Sequence, residues 1–181
     1  MKRSRVHVTG ASGSGTTTLA RALADAWSVP HADSDDYLFL PSDPPYVEQR
    51  DPQQRLDLMR ALFAPRAAWV LSGSLVGWGE PVVEECDAVV FLQLGPEERL
   101  RRLVAREERR RDGGDYDPDA WLEFMTWASG YDDPAFEGRS LHGHEAWLAQ
   151  LDLPVLRLDS RAPTSELLAA VLDWEPFSIR R

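Results

Sequence analysis

The sequence predicts an α/β fold in which a parallel sheet lies between two layers of helices. Three observations predict it. Short apolar runs alternate with longer stretches whose apolar residues recur at helical spacing, the pattern of parallel strands joined by crossover helices. The run Asp87 to Leu94 is apolar on both faces, as a strand covered on both sides must be. A glycine-rich segment, Gly10-Ala11-Ser12-Gly13-Ser14-Gly15-Thr16-Thr17, separates the first apolar run from the first helical stretch.

The elements follow in order. Arg5 to Thr9 reads as a buried strand entering the glycine turn. Thr16 to Trp27 reads as a helix whose inner face carries Leu19, Ala20, Leu23, Ala24 and Trp27. A short strand ends near Asp33, and residues 38 to 52, rich in proline and aspartate, read as loop. Asp51 to Phe63 is expected to be a helix with Leu56, Met59, Leu62 and Phe63 on one face, and Ala67 to Leu71 a third strand stopped at Ser72-Gly73. The apolar run Asp87 to Leu94 is the fourth strand and is expected at the centre of the sheet. Pro96 opens a charged helix to about Arg111 with Leu100, Leu103 and Val104 inward, ended by Gly113-Gly114. Residues 115 to 150 are aromatic-rich and helical, interrupted between Tyr131 and Gly143. Their aromatic rings are expected to form the small core of an insertion. Pro154 to Leu158 is a fifth strand, and a last helix starts at Pro163. The 181 residues fit a single domain, 1–181, with room for inserted lids.

Composition narrows the function. There are 30 acidic residues against 20 basic ones, a field that repels nucleic-acid phosphates. Lys2 is the only lysine, so any mechanism needing a lysine has almost nowhere to find one. The lone Cys86 allows no internal disulfide. No apolar run is long enough to span a bilayer, and a soluble cytoplasmic protein without nucleic-acid or membrane partners is expected.

In a parallel sheet the ligand sits beyond the C-terminal strand ends, where the glycine loop, Asp33 and Ser72 all fall. Glycines at 10, 13 and 15 let the backbone approach a ligand, and successive amides then form a nest for phosphate at a helix N-terminus. Gly10, Ser12, Gly13, Ser14, Gly15, Thr16, Thr17 and Thr18 are the expected phosphate cradle of a bound nucleoside triphosphate, with Thr17 at the position whose hydroxyl binds Mg²⁺. The motif G-x-x-x-x-G-K-[ST] requires lysine where this chain has Thr16. Loss of such a preorganised charge costs on the order of 3–4 kcal/mol in a transfer site. Binding through the backbone survives that loss; fast transfer needs a substitute, for which arginine is the candidate. A dinucleotide-binding turn competes for the same residues, with Asp33 as a ribose ligand, but Ser12 stands where its second glycine belongs.

Asp33 and Asp35 are two apart, so an extended segment would place them on one face. One could hold Mg²⁺ while the other accepts a hydroxyl proton or binds substrate. The third strand ends in Ser72, where an aspartate metal ligand would otherwise stand, so that duty falls to Asp33 or Asp35. His31 reads as structural. On the charged helix, Arg102 and Arg106 lie one turn apart and are expected to face the nucleotide, with Arg110 one turn further on; Arg139 is a candidate to close over the phosphates.

With these residues assembled, the chain resembles the P-loop small-molecule kinases of the adenylate, shikimate and gluconate kinase type. The resemblance implies a three-layer α/β/α P-loop NTPase fold with five parallel strands and helical lid insertions, and phosphoryl transfer from ATP, with Mg²⁺, to a small acceptor. Asp33-Ser34-Asp35 is similar to the Asp-x-Asp of shikimate and gluconate kinases, which implies metal and substrate roles for both carboxylates. Arg102-x-x-x-Arg106 resembles the spacing at the start of the adenylate kinase lid. Leu158 to Pro163 resembles the loop lining the adenine pocket, which brings in Arg161. By the same resemblance residues 38–66 are the acceptor-binding region, with Arg50 and Arg55 as acceptor contacts, and 107–150 is the lid-like region. Asp33, Asp35, Arg106 and Arg110 are the implied catalytic groups. The departures from the family are Thr16 and Ser72. A non-catalytic nucleotide-binding sensor remains the alternative that Thr16 leaves open.

Overall fold

The computed structural model describes residues 1–42, 46–111 and 117–176, with only the backbone described at Arg110. Its elements are β1 (Arg5–Gly10), α1 (Thr16–Trp27), β2 (His31–Asp33), α2 (Ser34–Leu38), α3 (Pro52–Leu62), β3 (Trp69–Ser72) and α4 (Glu80–Val83). Then come β4 (Ala88–Gln93), α5 (Pro96–Arg111), α6 (Pro118–Ser129), a 3₁₀ turn (Gly130–Asp132), α7 (Leu141–Leu148), β5 (Val155–Asp159) and α8 (Thr164–Asp173). Gly113-Gly114, expected to end α5, lies outside the described residues.

The five strands form one parallel sheet in the order β2-β3-β1-β4-β5. The chain leaves β1 toward β3 and β2 on one side and toward β4 and β5 on the other. The order therefore reverses at β1, the crevice where parallel sheets bind ligands. The central strand is β1, and β4, expected at the centre, lies one place out. It is still covered on both faces, with only Gln93 exposed.

Each face of the sheet has its own core. Val6, Val8, Val90 and Leu92 pack against Leu19 and Leu23 of α1 and Val171 of α8. Leu71, Val89 and Phe91 pack with Met59, Phe63, Trp69 and Trp147 on the other face. Helix boundaries follow local chemistry. Asp51 caps α3 by accepting from the amides of Gln53 and Gln54, with Pro52 at the first helical position where no amide is missed. Asp117 and Pro118 start α6 in the same way.

Several expectations are corrected. Residues 34–38 form α2 rather than an extended segment, so Asp33 and Asp35 do not share the face of one. Asp33 ends β2 and caps α2, its Oδ1 accepting from the Asp35 amide at 3.3 Å. On α3, Leu62 is exposed while Arg55 is buried, and on α5, Val104 is exposed while Arg99 and Glu107 are buried. The inward stripe of α5 is thus partly polar, because α6 and the turn after it present carbonyl and carboxylate groups to it. The aromatic residues of 115–150 do not form one insertion core. Trp147 and Tyr131 are buried in the main body, whereas Trp121, Phe124 and Trp127 follow one another along α6.

Candidate active site

The loop between β1 and α1 is shaped by backbone that only glycine adopts without strain. Gly13 has φ 86°, and a Cβ there would lie 2.7 Å from the Arg99 carbonyl oxygen on α5. Gly15, at φ 91°, caps α1. The loop closes on itself through the Ser14 amide, which donates to the Ala11 carbonyl at 3.0 Å. The amides that open α1 have no helical acceptor and no side-chain cap, which is the arrangement of a phosphate nest at a helix N-terminus.

Asp33 stands beside this loop at the end of β2. Its Oδ2 accepts from Thr17 Oγ1 at 2.9 Å and from Ser72 Oγ at 3.0 Å. Ser72 donates its hydroxyl hydrogen bond to Asp33, so it accepts from His31 Nε2, 3.0 Å away. Burial lowers the His31 pKa, and the Asp33 charge opposes that shift. Ser72 therefore works as a brace for the carboxylate rather than as a metal ligand, and His31 fixes Ser72. Asp35, one helical step on, has its carboxyl pKa raised, first by burial and then by the Asp33 charge, with Arg139 and Arg106 opposing.

The arginines divide by task. Arg102 Nε pairs with Glu98 at 3.0 Å, while its Nη1 and Nη2 donate to the hydroxyl and carbonyl of Ser160 at 3.2 and 2.8 Å. Ser160 Oγ in turn donates to the Ser14 carbonyl. Arg102 is thereby fixed beside Gly15, joining the phosphate loop to the loop after β5. Arg106 lies over the Phe124 ring of α6, 5.7 Å from its centroid, so it does not share the surroundings of Arg102. Arg161 is exposed and paired with Asp159. The Arg110 side chain lies outside the described residues.

Arg50 donates to the carbonyls of Tyr37 and Phe39 at 3.1 and 3.2 Å. Arg55 donates to the Arg50 carbonyl at 2.7 Å and to Gln49, and stacks on Trp78 at 5.4 Å. Expected as acceptor contacts, both are committed to holding the loop between α2 and α3.

Two groups were missed by the sequence reading. Arg99 is fully buried under the phosphate loop; it donates to the Ala128 carbonyl at 2.9 Å, pairs with Asp132 at 2.5 Å and covers the Tyr131 ring. Its spacing of four from Leu103 was the available signal. Ser160 was passed over for its neighbour Arg161, because a loop serine carries no sequence mark of direction. Arg139, by contrast, was expected over the phosphates, and it reaches the loop. Its Nη2 donates to Ser12 Oγ at 2.6 Å, and its guanidinium lies over Trp127 at 4.8 Å. Arg139 also lines a cavity of about 260 Å³ with Ser74, Val76, Gly138, Ser140, Gly143 and His144.

A family model described as an AAA domain matches residues 6–120. The chain belongs to that family. Bacillus subtilis (strain 168) YqaC, itself an uncharacterized protein, is 34% identical over 178 residues, spanning 95% of this chain and 97% of YqaC. Among solved structures, a gluconokinase from Sinorhizobium meliloti 1021 has a TM-score of 0.53 at 20% identity, covering 94% of this chain and 90% of that one. Shikimate kinase from Aquifex aeolicus vf5 gives 0.54 at 16% identity, covering 93% of each chain. At these identities the likeness establishes the fold, which is the three-layer α/β/α fold of P-loop kinases. Among the described residues no helix is long and apolar enough to cross a membrane.

Proposed function

We propose that this protein is an ATP-dependent kinase for a small metabolite bearing a hydroxyl group. One observation carries the reading: the phosphate loop bonds both Asp33, through Thr17, and Arg139, through Ser12, and Arg139 also lines a cavity of about 260 Å³. Residues 38–66 and 107–150 are its acceptor-binding and lid regions.

The nest and α1 hold the triphosphate, and Arg102 orients the loop that lines the base side. The residues suit Mg²⁺, because Thr17 Oγ1 directs its proton to Asp33 and so turns its lone pairs outward. Among the described residues no cluster of three His, Cys, Asp or Glu groups could hold a metal, and none is required when phosphate oxygens supply most ligands. Bound there by Thr17, with Asp33 placed to hold it through water, Mg²⁺ would neutralise charge on the β- and γ-phosphates.

The two carboxylates then have separate tasks. Asp33 already accepts two hydroxyl hydrogen bonds through Oδ2 and serves to position. Asp35, its pKa raised, is the proton acceptor. The acceptor oxygen forms a bond to the γ-phosphorus as the bond from that phosphorus to the β–γ bridging oxygen breaks. ADP leaves with that electron pair, and the acceptor proton passes to Asp35. The test is ADP release by the purified protein with MgATP across a panel of sugar acids, polyols and nucleosides. The reading predicts release that depends on one acceptor class and is lost in Asp35→Asn. ATP binding with no acceptor-dependent release across the panel would favour the second reading, a nucleotide sensor, which the threonine at position 16 supports.

A further inference from the structure

We propose that Arg139 supplies, from the segment before α7, the γ-phosphate charge that a lysine at position 16 would otherwise provide. This rests on the nucleotide reading above and goes further by assigning the missing charge to one side chain. Thr16 is neutral, and the only lysine, Lys2, precedes β1, whose C-terminal end, not its start, leads into the phosphate loop. The loop thus makes a cradle of backbone dipoles with no cationic side chain of its own.

The neighbouring arginines differ in what holds them. Arg99 is fully buried and bonded to Ala128 and Asp132. Arg102 is held by Glu98 and Ser160. Both have a carboxylate in contact. Arg139 is different, because its hydrogen-bond partner at the loop is the neutral hydroxyl of Ser12. Its Nε, like that of Arg99, is buried without a partner among the described residues. Its guanidinium is stacked on Trp127, which fixes the plane of the fork. Burial lowers its pKa, and the Asp35 and Tyr131 charges oppose this. A phosphate oxygen is the natural counter-charge for such a group, and the planar fork can bind two oxygens at once. Position adds to this. Arg139 touches the loop at Ser12 and also walls the 260 Å³ cavity, so it stands between the nucleotide side and the acceptor side of the crevice. The transferring phosphoryl group must cross that boundary.

The experiment is calorimetric titration of the full chain, in the presence of Mg²⁺, with ADP and with a non-hydrolysable ATP analogue. It compares wild type, Arg139→Gln, Arg139→Lys, Thr16→Lys and the double variant Thr16→Lys/Arg139→Gln. Arg139→Gln is expected to weaken the triphosphate analogue about 10- to 100-fold, the size of a lost charge-assisted contact, with ADP changed less than about threefold. Arg139→Lys, which keeps charge if Arg139→Gln should fail to fold, is expected to retain most of the triphosphate preference. Thr16→Lys is expected to restore the preference in the Arg139→Gln background and to add little to wild type. Equal losses for both nucleotides, no loss for either, or the same gain from Thr16→Lys in both backgrounds would overturn the assignment. If wild type binds neither nucleotide, the nucleotide reading itself fails.

Discussion

The two walls of the crevice are built from opposite materials. On the β1–α1 wall the recognition groups are backbone amides, held by Gly13 and Gly15 in left-handed conformations, with the Thr17 hydroxyl donating to Asp33. On the facing wall, α5 and the segment before α7 carry arginines: Arg102 and Arg139 bond to the loop after β5 and to Ser12, Arg106 lies over Phe124, and Arg99 is buried beneath the phosphate loop. A P-loop with its own lysine carries dipole and charge on one wall. On the assignment proposed above they are divided, so the cradle can form while the charge depends on how the segment before α7 is packed. The same division explains what a reader of the sequence can and cannot find. A nest is a local pattern of glycines; a charge delivered across a crevice is a tertiary fact.

The comparison can be broken first on the backbone wall. Gly13→Ala places a Cβ against the Arg99 carbonyl in a backbone region that costs L-residues about 1–2 kcal/mol before any clash. Nucleotide affinity measured by titration is expected to fall more than 100-fold, beyond that cost alone, because several amides lose their aim together. The facing wall is probed by Asp132→Asn, which leaves Arg99 buried without its carboxylate. Breaking such a pair costs about 3–5 kcal/mol, read as a lower urea midpoint with an unchanged slope.

A third test separates the site from the body beneath it. His7 and His144 are buried, which lowers their pKa values to about 4 and about 3. A histidine depressed below its unfolded value of 6.5 favours the neutral folded form, so its contribution is present at pH 7 and is lost as pH falls through the window from 6.5 toward 3. The loss is about 1.4 kcal/mol per pH unit for each histidine. Chemical denaturation between pH 7 and 5 is expected to give a shallower pH dependence for His144→Gln than for wild type. Smaller still is Arg161→Ala. Arg161 is exposed and paired with its neighbour Asp159, so nucleotide affinity is expected to change less than about twofold.

The order of elements was legible because buried strands and helices have different periods. α1 was read at its residue limits, since glycine before it and an apolar stripe within it mark both ends. Helices of four or five residues, α2 and α4, carry too few residues to show a period. That is why Asp33 and Asp35 were placed on a shared extended face. The phosphate loop and Asp33 were legible as a motif at strand ends. The arginines were legible only as a set. Which of them faces a carbonyl, a carboxylate or the crevice depends on the packing of α5 against α6 and on the loop between α2 and α3. Arg50 and Arg55 are the clearest cases, since only the folded loop reveals the carbonyls that hold them.

The central claim is that the charge on the γ-phosphate comes across the crevice from Arg139. The most direct measurement is a crystal structure of the protein with Mg²⁺ and a non-hydrolysable ATP analogue. The account predicts the triphosphate on the amides of the β1–α1 loop, with the Arg139 guanidinium on γ-phosphate oxygens at about 2.7–2.9 Å. A γ-phosphate contacted by no arginine, with Arg139 still directed only to Ser12, would contradict it.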